Sequence, residues 1–384
     1  MSDKIGKFLT TRIIHHGPGA LGKLDGEIGR SGATRVGIVT DRGVVEAGIV
    51  ERVLAEVKAA AFTFDEVQPE PSYELVGRCV TFLKDTRCDL VIGVGGGSSM
   101  DTAKMAAVMM RNSGDVPDFF GRDRVPKPGL PVIAIPTTAG TGSEVSPAAV
   151  FVDPRDRSKK GVRSDFLLPE AAILDPVLTL TLPQPLTAST GIDALTHAIE
   201  AYTAPQATLM SDIAAERSIQ LIGGSLRSAY ARGDDLSARE GMLMGSLLAG
   251  IALAVAGVGA VHALAHVLGG THRIGHGVAN ALFLPYVMEF NRIGCREKYA
   301  KVAALLGERV EGLSLDDASL KAIESVRRLN RDLCIPQFLR DLQIPQDSLH
   351  LIAEGCMETQ GRILANNPRV LSLEEAKQIL RRAY

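Results

Sequence analysis

The stretch VIGVGGGSSMDTAK, Val91–Lys104, joins an apolar, β-branched run to a helical pattern through three consecutive glycines. Glycines at such a junction let the backbone approach a ligand closely. The helix that follows presents free N–H groups and the positive end of its dipole, which together suit a pyrophosphate group. Because the stretch is not the GxGxxG fingerprint, a tight strand-to-helix turn without a ligand is the alternative interpretation.

Strands alternate with helical patterns on both sides of this stretch. The predicted strands are TRVGIVTD (34–41), AFTFDEV (61–67) and LPVIAIPTT (130–138), and the amphipathic GIVERVLAEVKAA (48–60) separates the first two. Such alternation is typical of a parallel, doubly wound sheet with helices on both faces. The N-terminal part is therefore predicted to be a Rossmann-like α/β domain.

After about Pro185 the apolar spacing becomes helical and strand-like runs are absent. Long Ala/Leu-rich segments at 211–232, 238–256 and 298–306 predict a helical bundle. Two prolines in LTLPQPLTAST indicate a boundary loop. We predict a dinucleotide-binding α/β domain over 1–186 and an all-helical domain over 187–384.

The composition is that of an ordinary globular chain: 384 residues, 46% hydrophobic, 22% charged, with a formal net charge of -2. Without a Lys/Arg-rich tract, neither nucleic acid nor an anionic membrane surface is an expected partner. The N-terminus lacks a signal-peptide pattern and the five cysteines form no CxxC pair, so a cytoplasmic location is expected. The apolar run at 241–270 raises a transmembrane alternative, but its Gly/Ala content and the histidines that follow favour a buried helix.

Two further features point to a nucleotide. The loop in IPTTAGTGSEVSPAAVF follows a predicted strand and offers the hydroxyls of Thr137, Thr138 and Thr141, at the edge where open α/β sheets bind ligands. Asp41 closes the strand at 34–41, where a carboxylate accepts hydrogen bonds from a ribose 2′-OH and repels a 2′-phosphate. A plain polar turn and a turn-forming aspartate are the respective alternatives. If a nucleotide binds, Asp41 favours NAD over NADP.

Half of the eight histidines fall in GAVHALAHVLGGTHRIGHG. His262 and His266 share one helix face, and His276 follows a glycine-containing turn. GIDALTHAIEA supplies a second pair at the same spacing, Asp193 and His197. An aspartate with three histidines suits Fe²⁺, Zn²⁺, Mn²⁺ or Ni²⁺, so the pairs indicate a metal site. Spacing alone does not decide which histidines bind.

Together, GGGSSMDTAK, PTTAGTGSEVS, GIDALTHAIEAY and HALAHVLGGTHRIGHGVANALFLPYVMEFN resemble the iron-containing (group III) alcohol dehydrogenase family, in the same order and over about residues 8–380. The resemblance implies a dinucleotide-binding α/β domain, an all-helical C-terminal domain and an active site in the cleft between them. It implies iron, or alternatively zinc, bound by Asp193, His197, His262 and His276. His266 matches a histidine near the substrate that is a candidate proton relay, and His272 matches no ligand.

The resemblance also implies NAD as the cofactor and reversible hydride transfer to it from a primary alcohol, small diol or related hydroxy compound. Alcohols and aldehydes are then the expected substrates, and a homo-oligomer of two or more copies is the expected assembly. The alternatives are an oxo-acid-directed relative (a hydroxyacid–oxoacid transhydrogenase or a maleylacetate reductase) and a non-enzymatic protein with a structural metal. The matching cofactor-binding positions are Asp41, Gly95, Gly96, Gly97, Ser98, Asp101, Thr137, Thr138, Thr141 and Lys160.

Two positions depart from the family pattern. Val267 stands where proline often follows the histidine at 266, and Gly275 stands where proline often precedes the last ligand. Losing proline before His276 is expected to loosen the turn that presents this ligand, without removing the ligand itself.

Overall fold

The computed structural model describes residues 6–155 and 158–384, which form two compact units. The first unit comprises Leu9–Leu182, and the second comprises Pro183–Tyr384 together with residues 6–8. The second unit opens with a helix, Gln184–Thr203, whose first turn holds Pro185. The predicted domain boundary after residue 186 lies inside that turn.

The described strands all belong to the first unit. They are β1 (Ile13–His16), β2 (Arg35–Asp41), β3 (Ala60–Val67), β4 (Leu90–Gly95), β5 (Gly121–Arg122), β6 (Val132–Pro136), β7 (Ala148–Asp153), β8 (Ser158–Arg163) and β9 (Ala171–Leu174). Six of them form a parallel sheet in the order β1-β9-β6-β4-β2-β3. The other three form a small mixed sheet in the order β5-β8-β7. The predicted parallel sheet is confirmed.

Helices cover both faces of the six-stranded sheet. They are α1 (Leu24–Ser31), α2 (Arg42–Glu46), α3 (Ile49–Ala55), α4 (Tyr73–Asp85) and α5 (Gly97–Met109). On β4, Leu90, Ile92 and Val94 belong to the core shared with α1 and α3, whereas Val91 belongs to the core shared with α4 and α5. Because successive strand residues point to opposite faces, a strand buried on both faces reads as the continuous apolar run seen in the sequence.

Among the described residues, the second unit is entirely helical from Gln184 onward, as predicted. Its helices are α6 (Gln184–Thr203), α7 (Leu209–Ala231), α8 (Leu236–Ala256), α9 (Ala260–His272), α10 (His276–Asn291), α11 (Arg296–Leu305), α12 (Leu315–Asp332), α13 (Leu349–Thr359), α14 (Gly361–Leu364) and α15 (Leu373–Arg382). Polar side chains fix several helix starts. Thr208 forms a capping box with Ser211 at α7, and Asp235 accepts a hydrogen bond from the Ala238 N–H at α8.

The long apolar run at 241–270 is divided between two helices. Gly257, at φ 76°, ends α8, and α9 begins three residues later. Within the described residues, α8 has the length and apolarity needed to cross a membrane, but most of its apolar window is buried inside the protein. It packs against α6 and α7, so the expected buried helix is what the structure contains.

Candidate functional site

Asp193 and His197 lie one turn apart on α6 and face the interior of the second unit. Asp193 is 3% exposed and His197 is 6% exposed. Helix α6 is buried over most of its length, from Gly191 to Thr203. A carboxylate and an imidazole held inside an apolar bundle need compensating partners, because a buried charge without one is strongly destabilising.

The partners come from α9 and α10. His262 lies in the first turn of α9, and His276 is the first residue of α10. The chain reverses between them through Arg273, at φ 56°, and Gly275, at φ −55° and ψ 136°. Helix α9 runs unbroken through Val267, the other position that departs from the family pattern.

Asp193, His262 and His276 each place a ligand atom within 4.8 Å of the other two. Asp193 Oδ1 lies 3.8 Å from His262 Nε2 and 3.7 Å from His276 Nε2. His197 adjoins this trio: its Nε2 is 4.0 Å from Asp193 Oδ1, and its ring stacks on His262 at 4.7 Å. One carboxylate oxygen and several imidazole nitrogens converging at these separations form a donor set that suits a divalent transition metal.

Asn280, one turn after His276 on α10, closes one side of this cluster. Its amide nitrogen lies 2.6 Å from Asp193 Oδ1 and 3.1 Å from Nε2 of both His262 and His276. Its carbonyl oxygen is buried and has no hydrogen-bond partner within the described residues. An orphaned polar atom beside converging ligand atoms fits a site built to hold an ion.

Behind His262 lies Glu200, a glutamate that is 6% exposed. Its Oε2 is 2.5 Å from His262 Nδ1, and its Oε1 accepts a hydrogen bond from the Val261 N–H at 2.8 Å. Burial raises the pKa of the Glu200 carboxyl to about 7, against the opposing effect of backbone N–H donors such as that of Gly259. Glu200 thus holds the imidazole ring of His262 at Nδ1, while Nε2 faces the cluster.

The two other histidines of this stretch occupy different surroundings. His266 is half-buried, its ring stacks on His276 at 5.4 Å, and its Nδ1 lies 3.3 Å from Gln360 Oε1. His272 ends α9 and pairs with the hydroxyl of Thr271. The structure therefore places His266 against the cluster and His272 at the end of its helix.

In the first unit, Asp41 ends β2 beside the glycine turn. Asp41 Oδ1 accepts a hydrogen bond from the Val44 N–H, and Oδ2 accepts one from Ser99 Oγ at 3.2 Å. Gly95 has φ 142° and lies so close to Ser99 that a Cβ at position 95 would be 2.6 Å from Ser99 Oγ. The turn therefore requires glycine and brings the carboxylate of Asp41 to the N-terminus of α5.

The two predicted nucleotide loops contact each other. A Cβ at Gly96 would lie 3.4 Å from Thr138 Oγ1, and one at Gly97 would lie 2.7 Å from Thr141 Cγ2. Gly96 is the N-cap of α5 and has no side chain with which to satisfy the first N–H groups of the helix. Ser98 follows in the first turn. Free N–H groups and threonine hydroxyls thus share one edge of the sheet, which suits a phosphate.

A buried lysine holds the second loop in place. Lys104 is 1% exposed and donates to Ser143 Oγ at 2.7 Å and to the Ser143 carbonyl. Asp101 pairs with this lysine and accepts hydrogen bonds from Ser143 Oγ and the Val150 N–H. Asp101, a predicted cofactor-binding residue, is therefore engaged in holding the loop.

Glu144 and Asp153, in the first unit, have strongly shifted pKa values. Burial raises the pKa of the Glu144 carboxyl to about 7, although the nearby ammonium of Lys104 lowers it. Arg155 and Lys160 hold the pKa of Asp153 well below its ordinary value. Lys160, the last predicted cofactor-binding residue, donates to Asp153 Oδ2 at 2.7 Å from strand β8.

Sequence reasoning missed Glu200, Asn280 and Lys104. A signal was present for the first two, because Glu200 follows Asp193 by two helical turns and Asn280 follows His276 by one. For Lys104, helical spacing indicates only its pairing with Asp101, three residues earlier, because its acceptors in the second loop lie about 40 residues further along the chain.

Both parts of the chain match known protein families. Residues 11–176 match the family described as iron-containing alcohol dehydrogenase, and residues 187–384 match the C-terminal part of the Fe-containing alcohol dehydrogenase family. Together these matches account for nearly the whole sequence.

Individual relatives extend over the full chain. The sequence is 40% identical to long-chain-alcohol dehydrogenase 1 of Geobacillus thermodenitrificans, over 99% of this chain and 97% of that protein. It is 37% identical to the NAD-dependent methanol dehydrogenase of Bacillus methanolicus, over 96% of this chain and 97% of that protein. The fold is similar to that of a crystallised 1,3-propanediol oxidoreductase, with a TM-score of 0.96 and 37% identity over 99% of this chain and 100% of the other.

Proposed function

The chain belongs to the iron-containing alcohol dehydrogenase family, and from that premise we propose that it catalyses reversible hydride transfer between a primary alcohol or small diol and NAD⁺. The observation that carries the proposal is the convergence of Asp193, His262 and His276 in a largely buried cluster. Relatives named for long-chain alcohols, methanol and 1,3-propanediol support the class of substrate.

In this proposal Asp193, His197, His262 and His276 hold one divalent metal ion, iron or alternatively zinc. When bound, such an ion supplies Lewis acidity, which lowers the pKa of an alcohol oxygen and polarises an aldehyde carbonyl. The chain contributes a site with a single carboxylate and imidazoles that carry no charge when they act as ligands. The buried bundle around it limits water, which strengthens these electrostatic interactions.

The nucleotide loops are proposed to hold NAD⁺, whose nicotinamide ring accepts the hydride. The N-terminus of α5 and the hydroxyls of Thr138 and Thr141 suit the pyrophosphate. Asp41 stands at the end of β2, where its carboxylate accepts ribose hydroxyls and disfavours a 2′-phosphate. A relative named as NAD-dependent supports the same preference.

We assign His266 to proton transfer. Its ring stacks on His276 at 5.4 Å, and it is half-buried, so it has contact both with the cluster and with solvent. An imidazole in that position can exchange a proton near neutral pH. Gln360, 3.3 Å from its Nδ1, orients the ring.

We also propose that the protein is a cytoplasmic enzyme. It assembles as a homo-oligomer of two or more copies and acts on small alcohols and aldehydes. Five cysteines without a disulfide support a reducing compartment. Sedimentation of the purified protein measures the number of copies directly.

A substrate panel tests the activity. The metal-free protein is reconstituted separately with Fe²⁺ and Zn²⁺ and assayed with methanol, 1,3-propanediol and longer primary alcohols, each with NAD⁺ and NADP⁺. We expect NADH formation that requires the metal and is faster with NAD⁺. The proposal is overturned if the reconstituted protein reduces neither cofactor with any alcohol. Coupled turnover of 4-hydroxybutyrate with 2-oxoglutarate, without release of NADH, would replace it with the oxo-acid alternative.

A further inference from the structure

Glu200 lies between the first turn of α9 and the imidazole of His262, and each of its two oxygens has its own task. Oε2 is 2.5 Å from His262 Nδ1, and Oε1 is 2.8 Å from the Val261 backbone nitrogen. The Gly259 N–H also points to this carboxylate. The N-cap of α9, Gly259, has no side chain that could accept a hydrogen bond from the first N–H groups of the helix. Glu200, on α6, supplies the acceptor instead.

The contact to His262 decides which ring nitrogen carries the proton. A neutral imidazole has one N–H donor and one lone pair. In its ionised form the Glu200 carboxylate can only accept a hydrogen bond, so the proton belongs on Nδ1 and the lone pair on Nε2. Nε2 is the atom that lies 3.8 Å from Asp193 Oδ1, inside the ligand cluster. The ring therefore presents a lone pair to the site before any ion arrives.

An amide in the same place cannot perform both tasks. A glutamine has one acceptor oxygen and one donor nitrogen. If its oxygen keeps the Val261 N–H, its NH₂ group faces His262 Nδ1, donates to it and forces the proton onto Nε2. If the amide turns round, its NH₂ group faces the helix N–H groups. Only a carboxylate satisfies both sides.

From this geometry we propose that Glu200 is a positioning residue for the metal site, which holds His262 in the Nδ1–H form and fixes the first turn of α9. The inference rests on the proposed metal-binding function. Buried partners of this kind orient a ligand histidine and strengthen it as a donor, and their loss typically weakens metal binding about 10- to 100-fold.

Asn367 provides a matched control on the same turn. Its Oδ1 accepts the Ala260 N–H at 3.2 Å, and it is buried, with 5% exposure, yet it caps α9 without contacting His262 through any described hydrogen bond. Asn367→Ala therefore removes a helix cap and leaves the imidazole partner in place. If Glu200 acted only by capping α9, the two substitutions would affect metal binding alike.

The test measures Co²⁺ affinity of the metal-free full-length protein by competition with a chelator, for wild type, Glu200→Gln and Asn367→Ala. The ¹⁵N NMR signals of the imidazoles report the protonated nitrogen of His262 in the same samples. We expect Glu200→Gln to bind Co²⁺ about 10- to 100-fold more weakly and to carry its proton on Nε2. We expect Asn367→Ala to lose stability but to keep both the wild-type affinity and the Nδ1–H form.

Each outcome bears on a different claim. Wild-type affinity in Glu200→Gln, or equal losses in the two variants, overturns the positioning role and leaves the proposed function standing. Failure of the wild-type protein to bind Co²⁺ overturns the proposed metal site itself. If Glu200→Gln does not fold, the wild-type spectrum still decides, because a proton on Nε2 of His262 in the metal-free protein contradicts the inference.

Discussion

The amide nitrogen of Asn280 lies 2.6 Å from Oδ1 of Asp193, on the same oxygen that faces the ligand nitrogens of His262 and His276. In the metal-free protein this amide is the hydrogen-bond donor that serves a buried carboxylate. A metal ion would engage the same oxygen and the same imidazole lone pairs. Asn280 therefore stabilises the site most when no ion is bound.

Substituting Asn280 with alanine is expected to destabilise the metal-free protein by about 1–3 kcal/mol, because a buried carboxylate loses its donor. The metal-bound protein should lose less, so the stabilisation gained on adding metal should grow. Urea unfolding with and without Zn²⁺ measures both quantities. Asn330→Ala is the control. Asn330, on α12, is also buried and donates to the Ala281 carbonyl on α10, the helix of Asn280, so its effect on stability should not depend on metal. If Asn280→Ala loses the same stability with and without Zn²⁺, Asn280 does not act chiefly in the metal-free protein.

Gly275 adopts a conformation that proline favours, with φ −55° and ψ 136°, and no heavy atom lies within 4 Å of a Cβ built there from the described residues. Gly275→Pro should therefore stabilise the protein by about 0.4–1 kcal/mol, through a smaller entropy of the unfolded chain. Denaturant unfolding checks the sign. Gly257→Ala supplies the contrast and should destabilise, since Gly257 has φ 76° and a Cβ there would be 3.0 Å from Asn366 Nδ2. Destabilisation by Gly275→Pro would show that the turn before His276 needs glycine.

Gly97→Ala should weaken NADH binding while leaving metal binding unchanged. The new methyl group would lie 2.7 Å from Thr141 Cγ2 and force the two nucleotide loops apart. Overpacking of this kind costs the folded protein about 1–3 kcal/mol. Where the displaced loops must return to bind the cofactor, that cost enters the binding free energy and raises Kd by up to about 150-fold. A fluorescence titration with NADH measures it. Gly77→Ala on α4, where a built Cβ meets no described heavy atom within 4 Å, should bind NADH like wild type. Unaltered NADH affinity in Gly97→Ala would show that the pyrophosphate binds elsewhere.

The pKa of Glu144 predicts a pH-dependent stability. Its value rises from 4.5 in the unfolded chain to about 7 in the folded protein, because the carboxyl is buried. The folded state then holds more protons between these values, so this group destabilises the protein progressively as pH rises through that range. Glu144→Gln removes this titration. The free energy of unfolding of the variant, relative to that of wild type, should therefore rise by about 3 kcal/mol from about pH 5 to about pH 8. Unfolding curves for both proteins at the two pH values give the difference, and a constant difference would contradict the shift.

Local pattern predicted much of the fold. The runs that became β4 and β6 are buried throughout, and β2 is buried over its central residues, so these runs are largely apolar. The edge strand β3 is more exposed, and its β-branched and aromatic residues indicated a strand. Strands β1 and β9 were not predicted, because they have only four residues each and pair with one another at a distance of more than 150 residues along the chain. The hairpin of β7 and β8 carries lysines and an aspartate and lacks a strong apolar alternation.

The sequence also indicated only some residues of the candidate site. Pairs one helical turn apart, such as Asp193 and His197, are visible in a sequence because the helix itself fixes their geometry. The choice of His262 and His276 over His266 needed the family resemblance, since all three satisfy simple spacing. Helical spacing places Glu200 on the face of Asp193 and Asn280 on the face of His276, but their contacts join different helices, and no local pattern specifies which helices meet.

The most direct test of the proposed metal site is the metal content and alcohol-dependent NADH formation of His262→Ala and His276→Ala, compared with wild type. His272→Ala is the matched control, because His272 lies on the same stretch and pairs only with Thr271 among its described hydrogen bonds. We expect about one metal ion per chain and activity in wild type and His272→Ala, and loss of both in the other two variants. Full metal content and undiminished NADH formation in either His262→Ala or His276→Ala would contradict it.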